Sequence, residues 1–366
     1  MPSPNTKQLT LFNALHKSRT EDFKIFNKSS YRAVWSSIVD KYPETAHFIY
    51  ELLQNADDAE ATKVNIVLRD NVLLFKHNGR KHFDITEENA ETVGDINSIT
   101  GIGDSTKSNN QNKIGKFGVG FKAVFQYTDS PEIYDDTFKF RIDNYIIPTL
   151  LKKDHPERKK GETLFVFNLN KNTEKSYCDI QERLEGLHNP ILFLRNLESI
   201  TWQIEKSNKL LKKGTYKKKT LESVHITDYI SLEKIRLYDN EVASTIFLFS
   251  EDILVHVDNS GHKICVGFYY DESKKRIVTE NRQNMYCFFP TKEALDTCFI
   301  VHAPFLLTDN RQNLKPNEEL NKSLISLLAE LSAKSILYLR DYGIKNKHLL
   351  IDKNIVDLIP EVKKSY

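Results

Sequence analysis

Apolar residues at 46, 49, 53 and 56 recur at helical spacing, and the pattern predicts a helix over residues 31–59. The spacing then changes to that of strands. Residues 63–68 and 72–76 read as two short strands joined by the turn Arg69-Asp70-Asn71. Further strands are expected at 138–142, 163–169 and 199–204, with a helix over 176–187 between the last two. Residues 119–127 read as helical. In the second half, strand-like runs fall at 244–249, 253–257, 263–270 and 285–289, and a closing helix spans 318–342. Residues 1–30 are polar apart from a few positions such as Leu9, Leu11, Phe12 and Leu15, the pattern of an arm or short helix that needs a partner surface. The lysine-rich stretch 209–219 reads as a hairpin or linker loop, which divides the chain into an arm (1–30), a first domain (31–207) and a second domain (208–366).

Composition narrows the function classes. At about 150 residues per domain, the 366 residues correspond to two domains. Lys plus Arg is 52 against Asp plus Glu at 50, a net charge of +2, which argues against a chain built mainly to coat nucleic acid. No apolar run approaches the ~18 residues of a membrane span, and the first ten residues lack a signal-peptide core. Membrane insertion and secretion are therefore not expected. The four cysteines include no Cys-x-x-Cys pair and read as thiols in a reducing cytoplasm.

Two segments carry candidate chemistry. In Glu51-Leu-Leu-Gln-Asn55-Ala-Asp-Asp58-Ala, the residues Glu51, Asn55 and Asp58 fall on one helix face, opposite the apolar positions. Alone, this is equally the pattern of a solvated stripe on an amphipathic helix. Downstream, six of the chain's 13 glycines lie between 94 and 120, and Gly115-Lys-Phe-Gly118-Val-Gly120-Phe runs into an apolar stretch. Glycines there let backbone N–H groups approach an anion at a helix N-terminus. A P-loop is set aside because Thr106 occupies the second glycine position. A Rossmann turn is set aside because the polar run 109–113, not a buried strand, precedes Gly118-Val-Gly120-Phe-Lys-Ala123.

Together these residues resemble the GHKL ATPases, which include heat-shock-ninety chaperones, type II topoisomerases, MutL-type repair proteins and histidine kinases. Glu51-x-x-x-Asn55-Ala-x-Asp58-Ala resembles their first nucleotide-binding motif, and Gly115-x-Phe-Gly-Val-Gly-Phe their glycine-rich lid. The sacsin-type branch is the most similar, through His77-Asn-Gly-x-x-x-Phe83, Ile102-Gly-Asp-Ser-Thr-Lys107, Phe125-Gln-Tyr-Thr-Asp129, Gly161-Glu-Thr163-Leu-Phe165, Leu192-Phe-Leu-Arg-Asn-Leu197 and His302-Ala-Pro-Phe-x-Leu-Thr-Asp-Asn-Arg311.

The resemblance implies an α+β fold: a Bergerat-type sandwich, a mixed sheet with helices on one face, followed by a smaller α/β domain. It implies ATP and Mg²⁺ as cofactors. Asn55 would hold Mg²⁺, and Glu51 would orient and deprotonate water. Asp58 and Thr163 would help bind adenine. Ser105 and Lys107, with the amides of Gly115, Lys116, Phe117, Gly118, Val119, Gly120 and Phe121, would hold the phosphates. Most of the superfamily has Asp-x-Gly-x-Gly at the adenine amino group, where this chain has His77-Asn78-Gly79-Arg80-Lys81. A neutral His77 ring and the Asn78 amide oxygen would each accept one hydrogen bond there; the alternative for His77 is a strand-end histidine satisfied within the fold. From the second domain, Arg311 is the candidate for the γ-phosphate, with Lys292 second. Each is also readable as an ordinary loop residue, and Arg282 as a turn residue.

The implied activity is slow Mg²⁺-dependent ATP hydrolysis driving lid closure, chaperone-like or as the motor module of a larger protein. The alternatives are a non-hydrolysing nucleotide-gated switch and an ATPase module of a nucleic-acid-processing or defence system. Expected partners are a protein client or effector domain and an ATP-dependent second copy of the chain. Nucleic acid, through 209–219, is not favoured, and no membrane is expected.

Overall fold

The computed structural model describes residues 3–26, 47–88, 90–101, 121–253, 262–279, 283–295, 297–308, 312–345 and 358. Residues 31–46 of the expected first helix, residues 254–257 and Arg282 lie outside this set. So do Arg311 and, in the glycine-rich segment, Ser105, Lys107 and 115–120. The architecture is mixed α+β, and the chain divides into two compact units.

The first unit comprises residues up to 187, apart from 112–114, together with 194–215. Its strands are β1 (Lys63–Arg69), β2 (Val72–His77), β3 (Glu132–Tyr134), β4 (Lys139–Asp143), β5 (Ile147–Leu150), β6 (Thr163–Asn168) and β7 (Ser199–Lys206). They lie in the order β7-β1-β2-β6-β3-β4-β5, with β1 parallel to β7 and the other pairs antiparallel. Strand alternation separates two faces. Leu73, Phe75 and His77 of β2 share a face with Ile66 of β1 and with Thr163, Phe165 and Phe167 of β6.

Helices cover that face. In α1 (Thr6–Phe26), the buried Phe12 packs on Phe138 and Phe140 at centroid separations of 5.9 and 6.0 Å. The arm thus finds its partner surface within its own chain. In α2 (Phe48–Asp58), Phe48 meets Phe167 edge-on at 5.6 Å. The opposite face carries a small apolar cluster (Val67, Leu74, Tyr134, Leu164 and Val166). It also carries polar pairs such as Asn65 with Thr201 and Arg69 with Glu157 and Glu205.

Two short helical elements bracket the glycine-rich segment: α3 (Asp95–Thr100) before it and a 3₁₀ helix (Phe121–Gln126) after it. The buried Lys122 joins them, its Nζ donating to the carbonyl oxygens of Ile99 at 2.8 Å and Tyr145 at 2.6 Å. Burial pulls its ammonium down to about 7. Helix α4 (Thr173–Glu185) precedes β7.

Of the two readings of 209–219, a hairpin or a linker loop, the structure has the hairpin: the stretch is a strand and not a linker. β7 turns through Ser207 and Asn208, both left-handed (φ 51° and 59°), into β8 (Lys209–His225), whose residues are divided between the units at 215 and 216. Paired left-handed residues suit a two-residue hairpin turn. Most side chains of β8 are exposed on both faces, so the strand shows no apolar alternation. At Gly214 a β-carbon would come within 2.4 Å of the Trp202 ring, so the hairpin closes only with glycine there.

The second unit holds the rest of β8, β9 (Ile230–Asp239), β10 (Val242–Ile253), β11 (His262–Asp271), β12 (Arg276–Ile277), β13 (Asn284–Cys287), β14 (Phe289–Ala294) and β15 (Ile300–His302). The order is β14-β13-β15-β11-β10-β9-β8, with β12 on β11. Helix α5 (Glu319–Lys345) buries Leu324, Leu328, Leu331 and Leu339 in a core with Phe249, Val266 and Phe268. No helix among the described residues is long and apolar enough to cross a membrane.

One carboxylate ties the first unit together. Asp57, buried at the end of α2, accepts from the backbone N–H groups of Arg195, Asn196 and Leu197 at 2.9, 2.7 and 2.9 Å. Replacing Asp57 with Ala leaves those donors without their acceptor. At roughly 1–3 kcal/mol for each stranded buried group, Asp57→Ala should lower unfolding free energy by on the order of 3 kcal/mol. Denaturant titration followed by circular dichroism measures it, and an unchanged midpoint would refute the assigned role.

Candidate functional site

Helix α2 stops in a Schellman motif. Glu60 adopts φ 60°, its N–H bonds the Asp57 carbonyl at 2.9 Å, and the Ala61 N–H bonds Ala56 at 2.9 Å. The next carbonyl, that of Ala59, accepts from the N–H groups of Arg80 and Lys81 at 2.8 and 3.2 Å. The loop following β2 is thereby docked on the helix end. A β-carbon on Gly79 would lie 2.8 Å from both the Ala59 oxygen and His77 Nδ1, so the close approach admits only glycine.

This docking forms a small, solvent-open cleft. Asn55, Asp58 and Ala59 of α2 and its terminus line it, with His77 of β2, Lys81, His82 and Phe83 of the following loop, Asp95 of α3, and Thr163 and Phe165 of β6. Of the residues named from sequence, Asn55, Asp58, His77 and Thr163 therefore meet in one place. His77 and Thr163 are direct cross-strand partners. Glu51 is buried one turn before Asn55 on the same helix. Phe121 is buried against Phe165 at 6.2 Å. Lys292 is an exposed residue of β14 in the second unit.

Two expected contacts are not available. Asn78 is occupied elsewhere: its Oδ1 accepts from the N–H groups of Thr62 at 3.0 Å and Lys63 at 2.8 Å, and its Nδ2 donates to Thr62 Oγ1 at 2.9 Å. The amide fastens the start of β1 and does not line the cleft. His77 does line the cleft, but its Nδ1 already accepts the Gly79 N–H at 3.1 Å, so the ring's one acceptor is spent inside the protein. Sequence reasoning missed Lys81, His82, Asp95 and Phe165 as lining residues. Of the further lining residues, Ala59, Lys81, Phe83 and Phe165 stood within quoted motifs without being assigned a role, while His82 and Asp95 carried no signal.

The walls perturb the titratable groups. Burial, helped by the His82 charge, lowers the His77 imidazole to about 4, so the ring is neutral. Desolvation by the cleft wall, then the neighbouring Asp57 charge, raises Asp58 to about 6. Asp95 rises to about 6 through burial and the proximity of Asp84. Among the described residues no group of three or more His, Cys, Asp or Glu side chains could cage a metal ion. The amide of Asn55 is the neutral oxygen donor at the wall, a ligand type that suits a hard cation carrying most of its other ligands with it.

Upstream of the structure, a direct sequence relationship is visible. Residues 28–185 match the Sacsin domain, and the chain is sacsin-like over that segment. Human sacsin is 32% identical over 142 residues, and the Arabidopsis thaliana protein NO VEIN is 25% identical over 329 residues, 81% of this chain. The chain spans only 3% and 11% of the lengths of these two relatives. Among solved structures, the N-terminal domain of a DNA repair protein aligns over 85% of this chain and 98% of its own, with a TM-score of 0.41 and 12% identity.

The raised Asp58 acid sets a test. In the folded chain the proton leaves near pH 6 rather than near 3.8, so stability falls as pH rises from about 4 to 6 and stays lowered above that. Asp58→Asn should therefore stabilise the protein at pH 7–8, with the gain vanishing below about pH 4. Thermal unfolding of both forms across that range checks it, and a gain independent of pH would contradict the assignment.

Proposed function

We propose that the cleft is a nucleotide site and that the chain binds ATP with Mg²⁺ and hydrolyses it slowly. The observation that carries this reading is the convergence of Asn55, Asp58, His77 and Thr163, brought by one helix and two strands to a single solvent-open cleft. These are four of the positions that the resemblance to the GHKL ATPases assigns to the nucleotide.

The base enters beside His77, Thr163 and Asp58, against the Phe83 and Phe165 rings. Asn55 would offer its side-chain oxygen to a magnesium ion, which would supply neutralisation of phosphate charge. Glu51 orients the attacking water and takes its proton. The resemblance assigns the phosphates to the backbone amides of 115–121, with Ser105 and Lys107, and of these only Phe121 is among the described residues. The resemblance assigns the γ-phosphate to Arg311, which lies outside the described residues, and implies that turnover is read by a client or effector domain. Hydrolysis rather than pure switching is favoured by the carboxylate of Glu51, which a binding-only site does not need.

Calorimetric titration with Mg²⁺·ATP and a phosphate-release assay test the reading. The intact chain should bind and turn over. Glu51→Ala should bind with turnover reduced at least about 100-fold, in line with the loss of a general base. Asn55→Ala should lose binding at least about tenfold. Absence of binding by the intact chain would overturn the proposal, and binding with no turnover would leave only the switch.

A further inference from the structure

The imidazole of His77 has a direction. Its Nδ1 receives the Gly79 N–H at 3.1 Å, so that nitrogen carries no proton. Were it protonated, two hydrogens would face each other across that contact, and the Gly79 backbone is held in place by the Arg80 and Lys81 N–H groups that bond the Ala59 carbonyl. A neutral ring with Nδ1 bare must carry its proton on Nε2. Among the described residues Nε2–H has no hydrogen-bond partner, and His77 forms part of the cleft wall. Ring packing fixes the plane, with Phe165 at 6.1 Å and Phe75 edge-on at 6.4 Å. Burial, which holds the ring neutral, agrees with this tautomer.

We infer that His77 recognises its ligand as a hydrogen-bond donor, so that the cleft reads a purine through an acceptor atom and takes 6-oxopurine nucleotides as readily as adenine nucleotides. The inference rests on the nucleotide reading of the cleft and reverses the polarity of its base contact. A carboxylate at this position would accept from an amino group at purine position 6 and repel an oxygen there. Nε2–H does neither. It donates to N1 of adenine or to O6 of an oxopurine. The carboxylates of Asp58 and Asp95 line the same cleft and offer acceptors for the complementary group, the 6-amino of one base or the N1–H of the other. A donor beside acceptors serves both patterns, whereas acceptors alone leave N1 of adenine unpaired and repel O6 of an oxopurine.

The test compares Mg²⁺·ATP with Mg²⁺·ITP, which differ only at purine positions 6 and 1, by calorimetric titration of the intact chain. The expected result is a ratio of dissociation constants within about threefold. His77→Asp should then favour ATP over ITP by about tenfold or more, because the oxygen at position 6 would meet an acceptor. His77→Gln, whose amide can turn either way, should keep the two ligands close and covers the case in which a buried aspartate prevents folding. The ratio is the readout, since damage to the fold weakens both ligands alike. An intact chain that prefers ATP by about tenfold overturns the inference while leaving the nucleotide site in place. If neither triphosphate binds, the nucleotide reading itself is lost, and this inference with it.

Discussion

Six cross-strand pairs between β2 and β6, from Val72 with Asn168 to His77 with Thr163, decide which face of the sheet each side chain occupies. Because alternation has a period of two, a slip of one residue would move Leu73, Phe75 and His77 to the opposite face. It would put Val72, Leu74 and Lys76 under α2 in their place, so a lysine would fall where His77 now reaches the cleft end of the strand. The cleft therefore depends on a register that the core enforces. The same three positions of β2 that bury Leu73 and Phe75 also deliver His77 to the cleft wall. Packing and recognition are specified by one pattern.

The adjacent carboxylates at the end of α2 illustrate how position divides labour. Asp57 turns inward and satisfies three backbone donors, so its charge is compensated and it holds the 195–197 segment in place. Asp58, one residue on, faces the cleft, where desolvation raises its pKa and the nearby Arg195 and Lys81 charges only partly oppose the rise. Helix geometry puts successive residues about 100° apart, enough to send one acid to the interior and the next to the site. Stability is concentrated in the first and chemical tension in the second, as is common where a site must stay ready for a ligand.

Much of the first unit was legible because its elements carry one clear period. Strands β1, β2, β4, β6 and β7 and helices α2 and α4 all follow from apolar spacing, and the Glu51–Asn55–Asp58 face follows from helical geometry. Three kinds of information were not in the pattern. The short strands β3 and β5, three and four residues long, offer too few alternations to register. Strand β8 is exposed on both faces, so its lysines imitate a loop. Side-chain direction is invisible to spacing: Asn78 sits in the motif but is spent on Thr62 and Lys63, while Asp95 and Phe165 reach the cleft from elements distant in sequence.

The Lys122 ammonium has a topological meaning beyond its two hydrogen bonds. By gripping the Ile99 carbonyl it brings the residues on either side of the glycine-rich segment to one point, and through Tyr145 it fixes that point to the turn between β4 and β5. The ends of the connection are thus held together by the folded protein itself, so the entropy of bringing residues 99 and 122 to one point is met by the core and not by the chain between them.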